Sequence, residues 1–289
     1  MTEQDQSTTV APLSTTAEPA PRAPAVFTRL TWLLWAASLG LAAARLGADG
    51  PWVVPGVVAV DGLTVVLWVA VTFFAGVVQS YSRRYMAGRA GVERFFARAF
   101  GFTLVVSVLV AADHAALFWG AWLAMGLVMA DLIGHVRDWP QARASARLAR
   151  RYFLASSGLL AVALAALWYA TGATTISGMV AAVGAAPAAL WLLAVVALVL
   201  AAAVQSALVP FHTWLLSSMT APTPASALMH AGFVNAGGVL LTRFAPVLTL
   251  DAGAMLLVTV LGATSALLGK LLKTVQPDVK GQLGCSTVG

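Results

Sequence analysis

From Ala188 to Val209 the chain runs for more than one membrane thickness without a charged residue, and then meets Pro210. About 20 apolar residues suffice to cross the hydrocarbon core as a helix. Proline has no N–H, so a helix continued through Pro210 leaves the Ser206 carbonyl free, beside the side chain of Gln205. Lipid cannot satisfy that carbonyl. A break at membrane depth is tolerated only where the loose backbone faces protein or a water-filled cavity, so this break points to a polar pathway. Phe211-His212-Thr213-Trp214 and Ser217-Ser218 are then too polar for lipid, and Pro222 and Pro224 make a turn that starts another helix. On that helix Thr223, Ser226, His230 and Gly237 fall at i, i+3, i+7 and i+14, one face at helical spacing.

Composition narrows the function classes. Of 289 residues 60% are hydrophobic and 10% charged, against about a quarter charged in a soluble domain. The formal charge of +6 would suggest nucleic acid in a soluble protein. Here the arginines gather between apolar segments, which is the signature of topology, and no nucleic-acid partner is expected. The single cysteine, Cys285, excludes an internal disulfide, and no set of metal ligands or cofactor motif is visible.

Residues 1–26, rich in Thr, Ala, Pro, Ser and Gln, read as a disordered tail, and 27–289 as the membrane domain. Phe27 to Leu46 is long for a signal peptide and is followed by further spans, so it reads as the first of them. Further spans are expected at Val57–Val78, Phe100–Ala112, Ala115–Gly134, Tyr152–Ala170, Ala188 into the break, Ala225–Phe244 and Ala254–Leu272. The segments Ser82–Arg98 and His135–Arg151 are basic, whereas Thr171–Pro187 is neutral. An amino terminus in the cytoplasm of a bacterial cell places both basic segments and Lys270, Lys273 and Lys280 inside, and the neutral loop outside.

The run Pro210-Phe211-His212-Thr213-Trp214-Leu215, followed by Ala221-Pro222-Thr223-Pro224-Ala225-Ser226-Ala227-Leu228-Met229-His230-Ala231, resembles the antiporter-like membrane subunits shared by respiratory complex I (chain L) and Mrp antiporters. Asp61-Gly62-Leu63-Thr64, Tyr81-Ser82, Tyr85-Met86, Arg94-Phe95-Phe96, Ala112-Asp113 and Gln276-Pro277-Asp278-Val279-Lys280 are similar to family landmarks in the same order, so the likeness covers everything after the tail. Leu215 to Ser218, Met229 to Gly238 and Arg243-Phe244-Ala245-Pro246 most resemble DabB, the membrane subunit of DAB-type inorganic-carbon accumulation complexes.

That resemblance implies an all-α polytopic transmembrane bundle with a broken helix, covering about one five-helix antiporter-like repeat plus preceding spans. Gly281 to Gly289 looks like the opening of a helix of the second repeat. The chain is therefore expected to be either the amino-terminal portion of a longer protein or a short member that borrows the rest. Proton-pumping members carry a Glu in the fourth span and a Lys at the break; the matching positions here are Leu123 and Gln205. An amide cannot store a proton, so that Lys/Glu device is not carried over.

Several titratable groups stand as candidates for an ion pathway. Asp131 and His135 lie at i, i+4, with Asp131 about 12 Å along the axis from Leu123. They are either a substitute proton site or an interfacial pair. His230 shares its face with Ser226 and comes after the break. Its imidazole suits a proton relay with Gln205 and Ser206, the alternative being a structural hydrogen bond. Lys280 matches a landmark and is expected to face inward, whereas Lys270 and Lys273 snorkel. The resemblance implies a transporter subunit rather than an enzyme, conducting protons or sodium without a cofactor. Its implied partners are the lipid membrane and a soluble DabA-like subunit of zinc β-carbonic-anhydrase type on the cytoplasmic side. Membership of a complex I-like or Mrp-like assembly, or a non-conducting membrane anchor, are the alternatives.

Overall fold

The computed structural model describes residues 22–48, 50–182 and 188–289. The tail expected over 1–26 lies almost wholly outside them. Among the described residues seven helical stretches are long and apolar enough to cross a membrane, Thr223–Arg243 being counted as one although it is interrupted, and an eighth apolar helix, shorter, ends at the break. The all-α polytopic bundle expected from the sequence is what the chain forms.

Helix α1 (Arg22–Leu46) is followed by a small antiparallel hairpin, β1 (Trp52–Val54) with β2 (Val58–Val60), in which Val54 pairs with Val58. Span two was expected to begin at Val57. Instead α2 covers Gly62–Tyr85, because Pro55 and Gly56 turn the chain and the β-branched valines pair as strands. A Val-rich run is equally apolar in either form, so hydropathy does not separate them. Asp61 caps α2 by accepting from the Thr64 N–H at 2.8 Å. Between α1 and α2, Gln79 donates to the Thr31 hydroxyl (2.8 Å) and the indole of Trp32 to Ser80 (2.9 Å). Such interhelical hydrogen bonds in a membrane are worth about 0.6 kcal/mol each.

Next come helices α3 (Val92–Ala111), α4 (Ala115–Ile133) and α5 (Pro140–Thr171). Both segments read as basic loops are in large part helical: Arg94 and Arg98 stand on α3, and Arg143 to Arg151 on the first turns of α5. Charge ends the hydrophobic stretch before it ends the helix, so a composition boundary sits inside each element. The short α6 (Ile176–Ala181) is tied to the loop before α4 by Asp113, whose carboxylate accepts from the N–H (2.8 Å) and hydroxyl (2.6 Å) of Ser177. Then α7 (Ala188–Gln205) packs along α5, where small buried residues, Ala163 and Ala194 among them, let the backbones approach.

The chain resumes as α8 (Thr213–Ser217) and one 3-10 turn (Ser218–Thr220), then α9 (Thr223–Leu228), a π-helical turn (Met229–Phe233) and α10 (Ala236–Arg243). The turn α11 (Ala245–Leu248), the long α12 (Ala252–Val275) and α13 (Val279–Val288) complete it. An aromatic cluster locks the interrupted stretch against α5: the rings of Phe153, Trp214 and Phe233 meet edge to face at centroid distances of 4.6 to 5.8 Å. Each such pair adds about 0.5–1.5 kcal/mol beyond its buried area.

Loops sort to two ends. His135 lies against Gly91, which puts the α2–α3 and α4–α5 connections together, while His114 bridges to Thr175 and Val58 to Ala112 at the far end. The antiparallel helices carry all the lysines and arginines except Arg45 and Arg243 toward the first end.

Candidate functional site

Helix α7 stops at Gln205, before Pro210 is reached. Ala207 takes a left-handed backbone (φ 54°), and Leu208 turns its N–H back to the Ala203 carbonyl at 2.9 Å. The break expected at Pro210 is thus a short irregular stretch, 206–212. Among the described residues nothing donates to the Ser206 carbonyl. The Ser206 hydroxyl donates to the Val234 carbonyl at 2.7 Å. That carbonyl is on the residue just after the π-helical turn, so the two interruptions face each other. Gly237 makes the approach possible: a Cβ there would sit 2.6 Å from the Ala202 carbonyl oxygen and closer still to Ser206 Oγ.

The π-helical turn divides the stripe expected on α9 and α10. The Thr223 hydroxyl donates to the Tyr85 hydroxyl (3.2 Å), His230 Nδ1 pairs with the Thr287 hydroxyl (2.9 Å), and Gly237 backs onto α7. One extra residue in the turn rotates α10 relative to α9, and periodicity alone does not reveal it. Ser226 is buried one turn before His230.

Beside the break lies a cavity of about 470 Å³, whose polar lining comes from Ser206, Asn235, Thr242 and Thr287. At about 30 Å³ per molecule it has room for several waters. His230 reaches it through Thr287, which lines the cavity and bonds the imidazole. Gln205 does not line it: the amide is enclosed, 1% exposed, and neither its nitrogen nor its oxygen has a hydrogen-bond partner. The relay grouping of Gln205, Ser206 and His230 is therefore only partly assembled, with Gln205 behind the cavity wall.

Toward the far end the cavity is bordered by Leu63 and Thr242, the neighbours in sequence of Gly62 and Arg243. Arg243 donates to Asp61 at 3.0 Å, to the Thr64 hydroxyl at 2.7 Å and to the Val110 carbonyl, joining α10 to the ends of α2 and α3. Asp61 stands ahead of its helix. Burial pushes its carboxyl up, but the hydrogen bonds from Thr64 and the charge of Arg243 outweigh this and hold it below the ordinary carboxylate value. In the sequence both residues stand out only as members of motif runs, since their 182-residue separation hides the pairing.

Asp131 and His135 do not form a pair. Asp131 is bound by Arg150 at 2.7 Å and Arg98 at 3.4 Å, with its side chain 42% exposed at the basic end. His135 comes after α4 has ended, edge-on to Phe95 at 5.4 Å. The residue between, Gly134, ends the helix and breaks the i, i+4 geometry. Lys280 faces the protein, donating to the Met219 (3.4 Å) and Ala221 (3.2 Å) carbonyls at the end of the 3-10 turn, while Lys270 and Lys273 are exposed.

A helix interrupted at membrane depth, meeting a second interruption beside a polar cavity, defines a polytopic membrane subunit whose loose backbone faces a polar interior. Residues 112–289 match the family described as NADH:quinone oxidoreductase/Mrp antiporter, TM, and residues 52–96 match NADH-ubiquinone oxidoreductase (complex I), chain 5 N-terminus. The chain belongs to this complex I and Mrp antiporter family. It is 35% identical over 237 residues to the probable inorganic carbon transporter subunit DabB1 of Halothiobacillus neapolitanus, covering 80% of this chain and 42% of that protein. To NADH-quinone oxidoreductase subunit L of Mycobacterium tuberculosis it is 31% identical over 230 residues, covering 79% and 36%. The Mrp complex from Dietzia sp. DQ12-45-1b superposes with a TM-score of 0.80 at 28% identity, over 92% of this chain and 31% of that one. The chain spans less than half the length of the curated relatives it matches.

Proposed function

We propose that this chain is the ion-conducting membrane part of an inorganic-carbon accumulation complex, a transporter subunit and not itself an enzyme. It would couple inward proton flow, or sodium flow, to a soluble partner that handles CO2 or hydrogencarbonate with zinc β-carbonic-anhydrase chemistry. Its basic end would face the bacterial cytoplasm and carry that partner, because loops rich in Lys and Arg stay on that side. The single observation that supports conduction is the cavity at the break, with His230 joined to it through Thr287. Imidazole titrates near neutrality in water, and Ser206, Thr287 and Asn235 offer hydrogen-bonding steps beside it. The 35% identity to DabB proteins supports the choice of solute.

Co-expression with the soluble partner gene in cells lacking carbonic anhydrase is the test. Growth in air restored only by the pair supports the proposal, whereas rescue by this chain alone, or a native pulldown returning quinone-reductase subunits, refutes it. One observation favours a second reading, a non-conducting anchor: Gln205 and Leu123 stand where the resemblance expects the proton-carrying Lys and Glu. Flux through reconstituted vesicles separates the two.

A further inference from the structure

At the basic end, a second cavity of about 620 Å³ opens where the start of α3 meets the α4–α5 connection. Arg89, Arg94 and Arg137 line it, and none of the three is ion-paired among the described residues. The Arg89 guanidinium rests 4.5 Å over the Tyr85 ring. Asp138 is the one carboxylate in the lining among the described residues. Helix α3 begins here at Gly91 with no side-chain cap, so its first N–H groups point out unbonded, the end that attracts negative charge.

His135 makes this more than a basic surface. It is 9% exposed, lines the cavity, and has no hydrogen-bond partner on either ring nitrogen. Its Cε1 and Nε2 are 3.5 and 3.8 Å from where a side chain on Gly91 would begin. With no side chain on Gly91, at φ 75°, only a glycine stands between the buried imidazole edge and the helix start. Buried polar groups are almost always bonded, and leaving one unmet costs about 1–3 kcal/mol. Arginines and helix N–H groups only donate, and donors alone hold any anion. A neutral imidazole adds one acceptor, which only a ligand with its own O–H can use.

We propose that this cavity binds a small oxyanion that keeps a proton at neutral pH, the class of hydrogencarbonate and phosphate. The guanidinium groups and the start of α3 take its charge, and His135 accepts its O–H. Burial first, and the charges of Arg98, Arg94 and Arg137 second, hold the imidazole below its ordinary value, which keeps the acceptor free. Anion binding here does not depend on which cation the assembly conducts.

Calorimetric titration of the purified protein in phosphatidylcholine nanodiscs tests it at neutral pH and fixed ionic strength. Hydrogencarbonate and phosphate are expected to bind saturably, and sulfate, which keeps no proton, about tenfold more weakly or worse. Arg137→Gln, on an exposed loop, is expected to weaken both ligands about tenfold. His135→Phe, which keeps a ring against Phe95, is expected to abolish the preference over sulfate. Equal binding of sulfate by the unmodified protein, no saturable heat with either ligand, or unchanged affinity in Arg137→Gln would overturn the proposal. So would loss of binding on replacing phosphatidylcholine with phosphatidylglycerol, since the site would then belong to a lipid phosphodiester, which has no acidic proton.

Discussion

Replacing Gly237 with Ala probes the contact between the two interrupted helices at one atom. The new methyl would start 2.6 Å from the Ala202 carbonyl oxygen and nearer still to Ser206 Oγ. Side-chain carbons essentially never approach closer than 3.0 Å, so α10 must retreat from α7 by at least 0.4 Å. Overpacking of this kind costs about 1–3 kcal/mol. Displacing Ser206 from the Val234 carbonyl adds about 1 kcal/mol for the lost hydrogen bond. The neighbouring Gly238 has nothing within 4 Å of its would-be methyl, so Gly238→Ala is the matched control. In a helix that control should be neutral or stabilising by up to about 1 kcal/mol. Unfolding of the purified variants in mixed detergent, monitored by circular dichroism, gives both values, and vesicle flux reports on the cavity that Ser206 lines. Equal stability and equal flux for the two variants would refute the close-approach argument.

The same geometry sets three further outcomes. His230→Ala is expected to abolish proton-coupled uptake with membrane insertion intact, while Gln205→Ala, whose amide lies outside the cavity, leaves most of the flux; both are read in the vesicle assay. Asp61 has a lowered folded value, so its pairing with Arg243 contributes fully above about pH 4 and is lost as pH falls through the folded value. An Asp61→Asn variant should therefore melt lower than the parent at neutral pH and converge with it in acid. Cysteines at the exposed positions Gln141 and Thr174 are expected to label from opposite sides of the membrane with an impermeant maleimide. Labelling from one side contradicts the arrangement of ends.

Hydropathy and charge made most of the bundle legible, because lipid imposes helices on any long uncharged run. They failed where two structures share one composition. Val57 to Val60 is as apolar in a strand as in a span, and Arg94 and Arg143 are as compatible with a helix end as with a loop. Pro210 announced the break, since the loss of an N–H is a property of the residue itself. The π-helical turn at Met229–Phe233 has no such marker, and with it the partners of Thr223 and His230 were hidden. Thr287 and Arg243 entered the site through contacts 57 and 182 residues away in the chain, distances over which no local pattern operates.

The clasp between Arg243 and Asp61 also bears on how the chain is made. Asp61 leaves the ribosome 182 residues before its partner. At about 5–20 residues per second, α2 stands in the membrane for roughly 10–35 s before the guanidinium arrives to close on it. The early helices must therefore be stable as an open half-clasp, held by contacts such as Gln79 with Thr31. Arg243, by contrast, is inserted beside a carboxylate already in place, so the order of synthesis ensures that the cation in this pair is never the member left waiting.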